Sequence, residues 1–109
     1  MDYKLFFRNE LMTLYMAPKS ESEPRFAVSI SSKTAPAAVR NRLKRLAREA
    51  FRLSRDEVAG DFDYFIIYSA RLSKRGDSDI KKITLSEVKQ GFIALAERGR
   101  RRFEKERNE

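Results

Sequence analysis

The chain has 109 residues, with 24 Lys or Arg against 16 Asp or Glu, a formal charge of +8, and no His, Cys or Trp. That length suits one domain with a single modest core. Zero cysteines exclude disulfides, thiol nucleophiles, zinc ribbons and iron–sulfur sites, and zero histidines remove the commonest general base and the commonest transition-metal ligand. A basic chain this poorly equipped for catalysis of its own points to a polyanionic partner. No run approaches the roughly 18 apolar residues of a spanning helix. The start, Met1 to Arg8, is too short and too soon broken by charge for a signal peptide, so the cytoplasm is the default compartment.

In chain order, Tyr3–Phe7 offers a short edge strand and Leu11–Met16 a second strand. Ala17–Pro24 is polar, with a proline near each end, and reads as a loop. Arg25–Ser31 alternates, Phe26, Val28 and Ile30 on one face and small or polar residues on the other, as a half-buried strand does. Two strands around one loop predict an antiparallel hairpin. Thr34-Ala35-Pro36 then supplies a capping hydroxyl and a proline suited to a first helical turn. Val39, Leu43, Leu46, Ala47, Ala50 and Phe51 follow at helical spacing. Asp63–Tyr68 is a strand rich in aromatic and β-branched residues, suited to the centre of a sheet. Arg71–Asp79 reads as an exposed loop around Gly76. Thr84 and Glu87 fit a capping box, and the helix after them buries Leu85, Val88, Phe92 and Leu95. It runs into a charged end or tail over residues 97–109. All of this is one layered domain.

The charge is concentrated. Residues 36–55 carry a net +6, against +1 for 1–35, −3 for 56–79 and +4 for 80–109. Arg40, Lys44, Arg48 and Arg52 form a row four residues apart, with Asn41 and Arg45 beside it. Like charges at that spacing repel and destabilise a helix, so the row calls for an anion. Aligned Arg and Lys follow a phosphate backbone and release its counterions. Asn41 can donate and accept at once, to a base edge, a ribose hydroxyl or a neighbouring arginine. Among the strand aromatics Tyr15 is the best placed for an open face, where a ring stacks on unpaired bases, while alternation assigns Phe26 to the core. The pairs Asp61/Asp63 and Asp77/Asp79 are weak metal candidates and better read as loop solvation. Arg100-Arg101-Arg102 is divided evenly between an auxiliary RNA contact and a solvated helix end.

The segments Arg25-Phe26-Ala27-Val28-Ser29-Ile30-Ser31-Ser32-Lys33 and Ala38-Val39-Arg40-Asn41-Arg42-Leu43-Lys44-Arg45-Leu46-Ala47-Arg48-Glu49-Ala50-Phe51-Arg52 closely resemble the bacterial ribonuclease P protein component. Asp63-Tyr64-Phe65-Ile66-Ile67 looks like that family's following strand, and the likeness runs from about Leu11 to Phe92. The resemblance implies an α+β fold of the ribosomal protein S5 domain 2 type. It has an approximately four-stranded, mainly antiparallel sheet with helices packed on it, and a left-handed βαβ crossover against the usual hand. It also implies a division of labour. A large RNA, with magnesium, removes the 5′ leader from precursor tRNA. The protein binds that RNA and holds the single-stranded leader in a cleft between the basic helix and the sheet, so the chain alone is expected to be non-catalytic.

Matched to the family motif, Arg40, Asn41, Arg42, Lys44, Arg45 and Arg48 face the catalytic RNA, with Arg52 continuing their row. Lys33 matches the second lysine of the turn, and Tyr15, with Lys33, the leader cleft. No cofactor and no metal is expected in the protein itself, and no protein partner is read from the sequence. The chain departs from the family at Ser32, where a lysine is common, at Ala35-Pro36, which replaces Gly-Asn, and at Ser69, where an arginine is frequent. It begins near the family's first strand, so the usual N-terminal helix with its cleft-lining aromatics is expected to be missing. The reading from another class is a ribosome-associated or general RNA-binding module with no processing role. A protein-only nuclease would need carboxylate-held metals, and a DNA regulator would need a helix-turn-helix partner before the basic helix.

Overall fold

In the computed structural model the described residues are 5–107, the side chain of Asp77 excepted. The elements are β1 (Leu5–Arg8), β2 (Met12–Pro18), β3 (Phe26–Ser29), α1 (Ala37–Leu53), β4 (Phe62–Tyr68), a 3-10 helix (Ala70–Arg75), α2 (Asp77–Lys81) and α3 (Leu85–Arg107). The strands form one sheet in the order β1-β2-β4-β3. β1 and β4 run antiparallel to β2, and β3 runs parallel to β4. Residues 3 and 4 of the expected edge strand lie outside the described residues. No helix among the described residues is long and apolar enough to cross a membrane.

The hairpin expected of β2 and β3 does not form, because β4 lies between them. β4 is apolar on both sides, Tyr64, Ile66 and Tyr68 on one and Phe65 and Ile67 on the other, and such a strand is best stabilised with a neighbour on each edge. β3 has only four residues and exposes Ala27 and Ser29, which suits an edge. The connection from β2 therefore straddles the start of β4 and is pinned to it at both ends. The Lys19 N–H donates to the Asp61 carbonyl at 3.0 Å, and the Tyr64 N–H donates to the Arg25 carbonyl at 2.9 Å. Asp63 completes the anchor. Its carboxylate is buried, accepts from the Arg25 N–H at 2.8 Å and faces the Arg25 guanidinium at 3.5 Å. This aspartate ties the end of the β2–β3 connection to β4; it is not the solvated loop residue its sequence position suggests.

The register sorts side chains into two faces. Leu5, Met16, Tyr64 and Phe26 form one row, and Phe7, Leu14, Ile66 and Val28 the next. Both helices pack here. Phe51 of α1 stacks on Phe26 with ring centroids 4.7 Å apart, and Phe92 of α3 meets Tyr64 edge-on at 5.3 Å. Val39, Leu43, Ala47 and Ala50 supply the buried stripe of α1, and Val88, Phe92, Leu95 and Ala96 that of α3. Gly99 lets α3 approach β2: a β-carbon there would stand 2.1 Å from the Met16 sulfur.

Two local expectations change. Pro36 itself is the N-cap of α1, which has no side-chain cap, while the Thr34 hydroxyl is buried and without a partner among the described residues. The segment after β4 is helical, because Leu72, Ile80 and Ile83 are drawn into the core and Gly76, at φ 79°, makes the turn between the two short helices. α3 continues as helix to Arg107. Thr84 caps as expected, accepting from the Glu87 N–H at 3.2 Å.

Replacing Gly99 by Ala should cost about 1–3 kcal/mol, as overpacking does, seen as a lower urea midpoint at unchanged slope. A second expectation concerns alkali. Burial pushes the Tyr64 and Tyr68 hydroxyls well above the usual tyrosine range. Groups whose pKa is raised on folding contribute stability below their unfolded value and lose it as pH rises, so the unfolding free energy should decline above about pH 10. Denaturant titrations between pH 8 and 11 check this, with tyrosinate absorbance as the second readout.

Candidate nucleic-acid interface

The seven cations of residues 36–55 are not equivalent. Arg52 is hydrogen-bonded to Glu49, with its Nε 3.1 Å from the carboxylate, and that bond holds the Glu49 carboxyl below the usual range. Arg55 donates to Glu23 at 2.9 Å. Arg42 is half-buried, and its guanidinium donates to the Ile83 carbonyl at 2.7 Å. The remaining four, Arg40, Lys44, Arg45 and Arg48, form no ion pair among the described residues. Arg40 is steadied by its own chain, its Nε donating to the Ala35 carbonyl at 3.0 Å. Asn41, Arg45 and Arg48 are exposed. Lys33 is exposed in the loop before the helix, where the Ser31 hydroxyl accepts from its N–H at 3.2 Å.

The C-terminal arginines behave in the opposite way. Arg100 lies between Glu97 and Glu104, Arg101 is 3.5 Å from Glu97, and Arg102 donates to Glu106 at 2.9 Å. These pairs three and four residues apart offset the charge of Arg100, Arg101 and Arg102. Of the two readings of Arg100–Arg102, the geometry favours the solvated helix end.

The reverse face of the sheet is aromatic and half open. Phe6, Tyr15 and Phe65 occupy one register row on neighbouring strands, with ring centroids 5.6 Å and 6.1 Å apart. Phe6 is 62% exposed, and Tyr15 and Phe65 are half-buried. The next row along the strands holds Arg8, Thr13 and Ile67. These line a cavity of about 730 Å³ that the 3-10 helix closes with Arg71 and Arg75. Ser69 bonds to the Arg71 N–H at 3.2 Å and starts that helix. Glu10 also lines the cavity and is 3.7 Å from Arg75, leaving its charge positive. Ser31, two residues before Lys33, reaches its wall.

Among the described residues no cleft separates α1 from the sheet, contrary to expectation. Phe26, Phe51, Tyr64 and Phe92 fill that space as core, and the concavity lies on the other face. Tyr15 stands on that face, one register row from the cavity, and Phe26 is in the core, as alternation indicates. Phe6, Phe65 and the arginines of the cavity were not singled out. Alternation assigns Phe6, Phe65 and Arg8 to a face, but only the strand order places the two rings beside Tyr15.

Fold and site together define a small α+β domain with a cationic helix sector and an aromatic sheet face. A family model described as Ribonuclease P matches residues 2–93. The chain is 35% identical over 100 residues to a ribonuclease P protein component of Bacillus cereus, covering 89% of this chain and 79% of that one. It is 33% identical over 91 residues to that of Clostridioides difficile, covering 82% and 79%. The ribonuclease P protein of Thermotoga maritima superposes with a TM-score of 0.73 at 23% identity, over 86% of this chain and 82% of that one. The corresponding Staphylococcus aureus structure gives 0.64 at 20%, over 84% and 76%. The chain belongs to the ribonuclease P protein component family.

If the four unpaired cations carry the polyanion affinity, Arg48→Ala should elute from a heparin column at distinctly lower salt than the parent. Arg52→Ala, which removes a charge already matched by Glu49, should shift elution by less.

Proposed function

We propose that this chain is the protein subunit of a ribonuclease P that removes the 5′ leader from precursor tRNA, with magnesium-dependent cleavage performed by the RNA subunit. The observation that carries this reading is the unpaired sector Arg40, Lys44, Arg45 and Arg48 on a protein that matches its other arginine cluster with acids. Four uncompensated cations on one helix are at their lowest energy against phosphates, which also release counterions as they bind. Asn41 adds hydrogen bonds, and Lys33 extends the sector at the helix start. In this reading the sector meets the RNA subunit and offsets phosphate repulsion there, lowering the magnesium requirement.

The aromatic face takes the single-stranded leader. Bases stack on Tyr15 and its neighbours at roughly 1–3 kcal/mol each, without need of sequence. The strand's phosphates are met by Arg8, one register row away at about 7 Å along the strands, and by Arg71 and Arg75 across the cavity that row lines. Mature tRNA has no leader to place there, so the protein selects precursor over product. The Asp61/Asp63 pair plays no part as a metal ligand in this scheme, since Asp63 is engaged by Arg25.

The experiment is reconstitution. Added to a bacterial ribonuclease P RNA at low magnesium, the chain should restore leader removal; an RNA-binding module without a processing role would bind and leave the leader in place. Arg40→Ala/Arg45→Ala should lower the slope of log K against log salt by about 1.4–1.8. Tyr15→Ala should weaken precursor binding about tenfold and leave mature tRNA binding unaltered.

A further inference from the structure

Arg42 belongs by sequence to the basic run of α1, yet it is built into the protein. At about 100° per residue, Arg40, Asn41, Lys44, Arg45, Arg48 and Arg52 fall within an arc of about 140°, and Arg42 stands about 60° outside it, next to Leu46 and Val39. Its guanidinium is half-buried and donates to the Ile83 carbonyl at 2.7 Å, a bond spanning 41 residues. Its other terminal nitrogen is buried without a partner among the described residues.

The receiving carbonyl is a particular one. Ile83 is buried and immediately precedes Thr84, the residue that caps α3, and Val88, also buried, stands four residues past that cap. Apolar residues at these two positions set the angle at which a chain enters a helix. Arg42 therefore holds α1 to the start of α3. Tyr68 reinforces the join from the sheet, its buried hydroxyl donating to the Leu43 carbonyl at 2.7 Å. The connection from β4 to α3, which Arg42 grips at its far end, is the segment that carries Arg71 and Arg75 into the cavity.

We propose that Arg42 is a positioning residue and not an RNA contact: it clasps the entry of α3 and so sets the connection carrying Arg71 and Arg75 relative to the cationic sector of α1. The role as a positioner of an RNA surface rests on the function proposed above; the clasp itself does not. An RNA-contacting arginine and a clasp differ in what their loss does. Removing a phosphate contact lowers the salt slope, whereas removing a clasp displaces the salt line in parallel and loosens the held segment.

Two measurements on the full chain separate them, using Arg42→Met, Arg42→Gln and Arg45→Ala. Binding to a bacterial ribonuclease P RNA transcript is followed as a function of salt, and backbone amide exchange is followed on the protein alone. Arg42→Met is expected to keep the parental salt slope at lower affinity, while Arg45→Ala lowers that slope by about 0.7–0.9. Exchange at residues 83–88 should speed up about tenfold or more in Arg42→Met, as loss of a charged hydrogen bond implies, and stay parental in Arg45→Ala. Arg42→Gln removes the charge but keeps an N–H donor, so it should keep the slope and regain part of the exchange protection. It carries both measurements if Arg42→Met does not fold. A slope in either Arg42 variant lowered as far as in Arg45→Ala overturns the proposal, as does parental exchange at residues 83–88 in the variant measured. A parental slope in Arg45→Ala itself would count against the proposed function and leave the exchange result to decide the clasp.

Discussion

The two-sided apolarity of β4 is the constraint from which the rest of the molecule follows. A strand with Tyr64, Ile66 and Tyr68 on one face and Phe65 and Ile67 on the other cannot lie at an edge or face water on one side without cost. It is accommodated between β2 and β3, with both helices on the first face and the aromatics of β1 and β2 beside the second. That insertion makes β3 parallel to its neighbour and leaves α1 as the crossover between them. It also aligns Phe6, Tyr15 and Phe65 in one row. The Asp63–Arg25 anchor is the polar counterpart of the same arrangement, a buried carboxylate that is tolerable because the loop it restrains supplies its donors.

Charge is handled in two ways in one chain. Along the end of α3, Arg100, Arg101 and Arg102 are each paired with an acid three or four residues away. Among the described residues, Arg52 on α1 and Arg55 just past its end are matched, Arg42 is turned inward, and the other four cations of α1 form no ion pair. A surface kept for solubility mixes its signs. The contrast between the two helices is thus stronger support for an anionic partner than the total of +8, to which both contribute.

Much of the fold was legible because local rules and tertiary packing agree there. The period of α1 places Val39, Leu43, Ala47 and Ala50 inward, and the alternation of β3 places Phe26 and Val28 inward. The hydroxyl of Thr84 caps α3 as its spacing indicates. The failures share a cause. Thr34 reads as a cap, but the extended backbone of Pro36 takes that position; Arg71–Asp79 reads as an exposed loop, but Leu72 and, just past it, Ile80 are drawn into the core. In each, a long-range requirement for burial or backbone geometry overrode a local signal. The cleft expected between α1 and the sheet is absent for the same reason: aromatic side chains from four elements close it.

By itself the sequence determined which residues are cationic, which face of each element is apolar, and, through the likeness of its basic helix, the family. Those properties are local, since charge and periodicity belong to a segment wherever it is placed. Tertiary structure alone decided that β4 separates β2 from β3, that Tyr15 has Phe6 and Phe65 as neighbours, and that Arg42 turns to Ile83 while Arg45 and Arg48 remain in water. Strand order and side-chain partners depend on which distant groups meet when the core closes, and no spacing along the chain encodes that meeting.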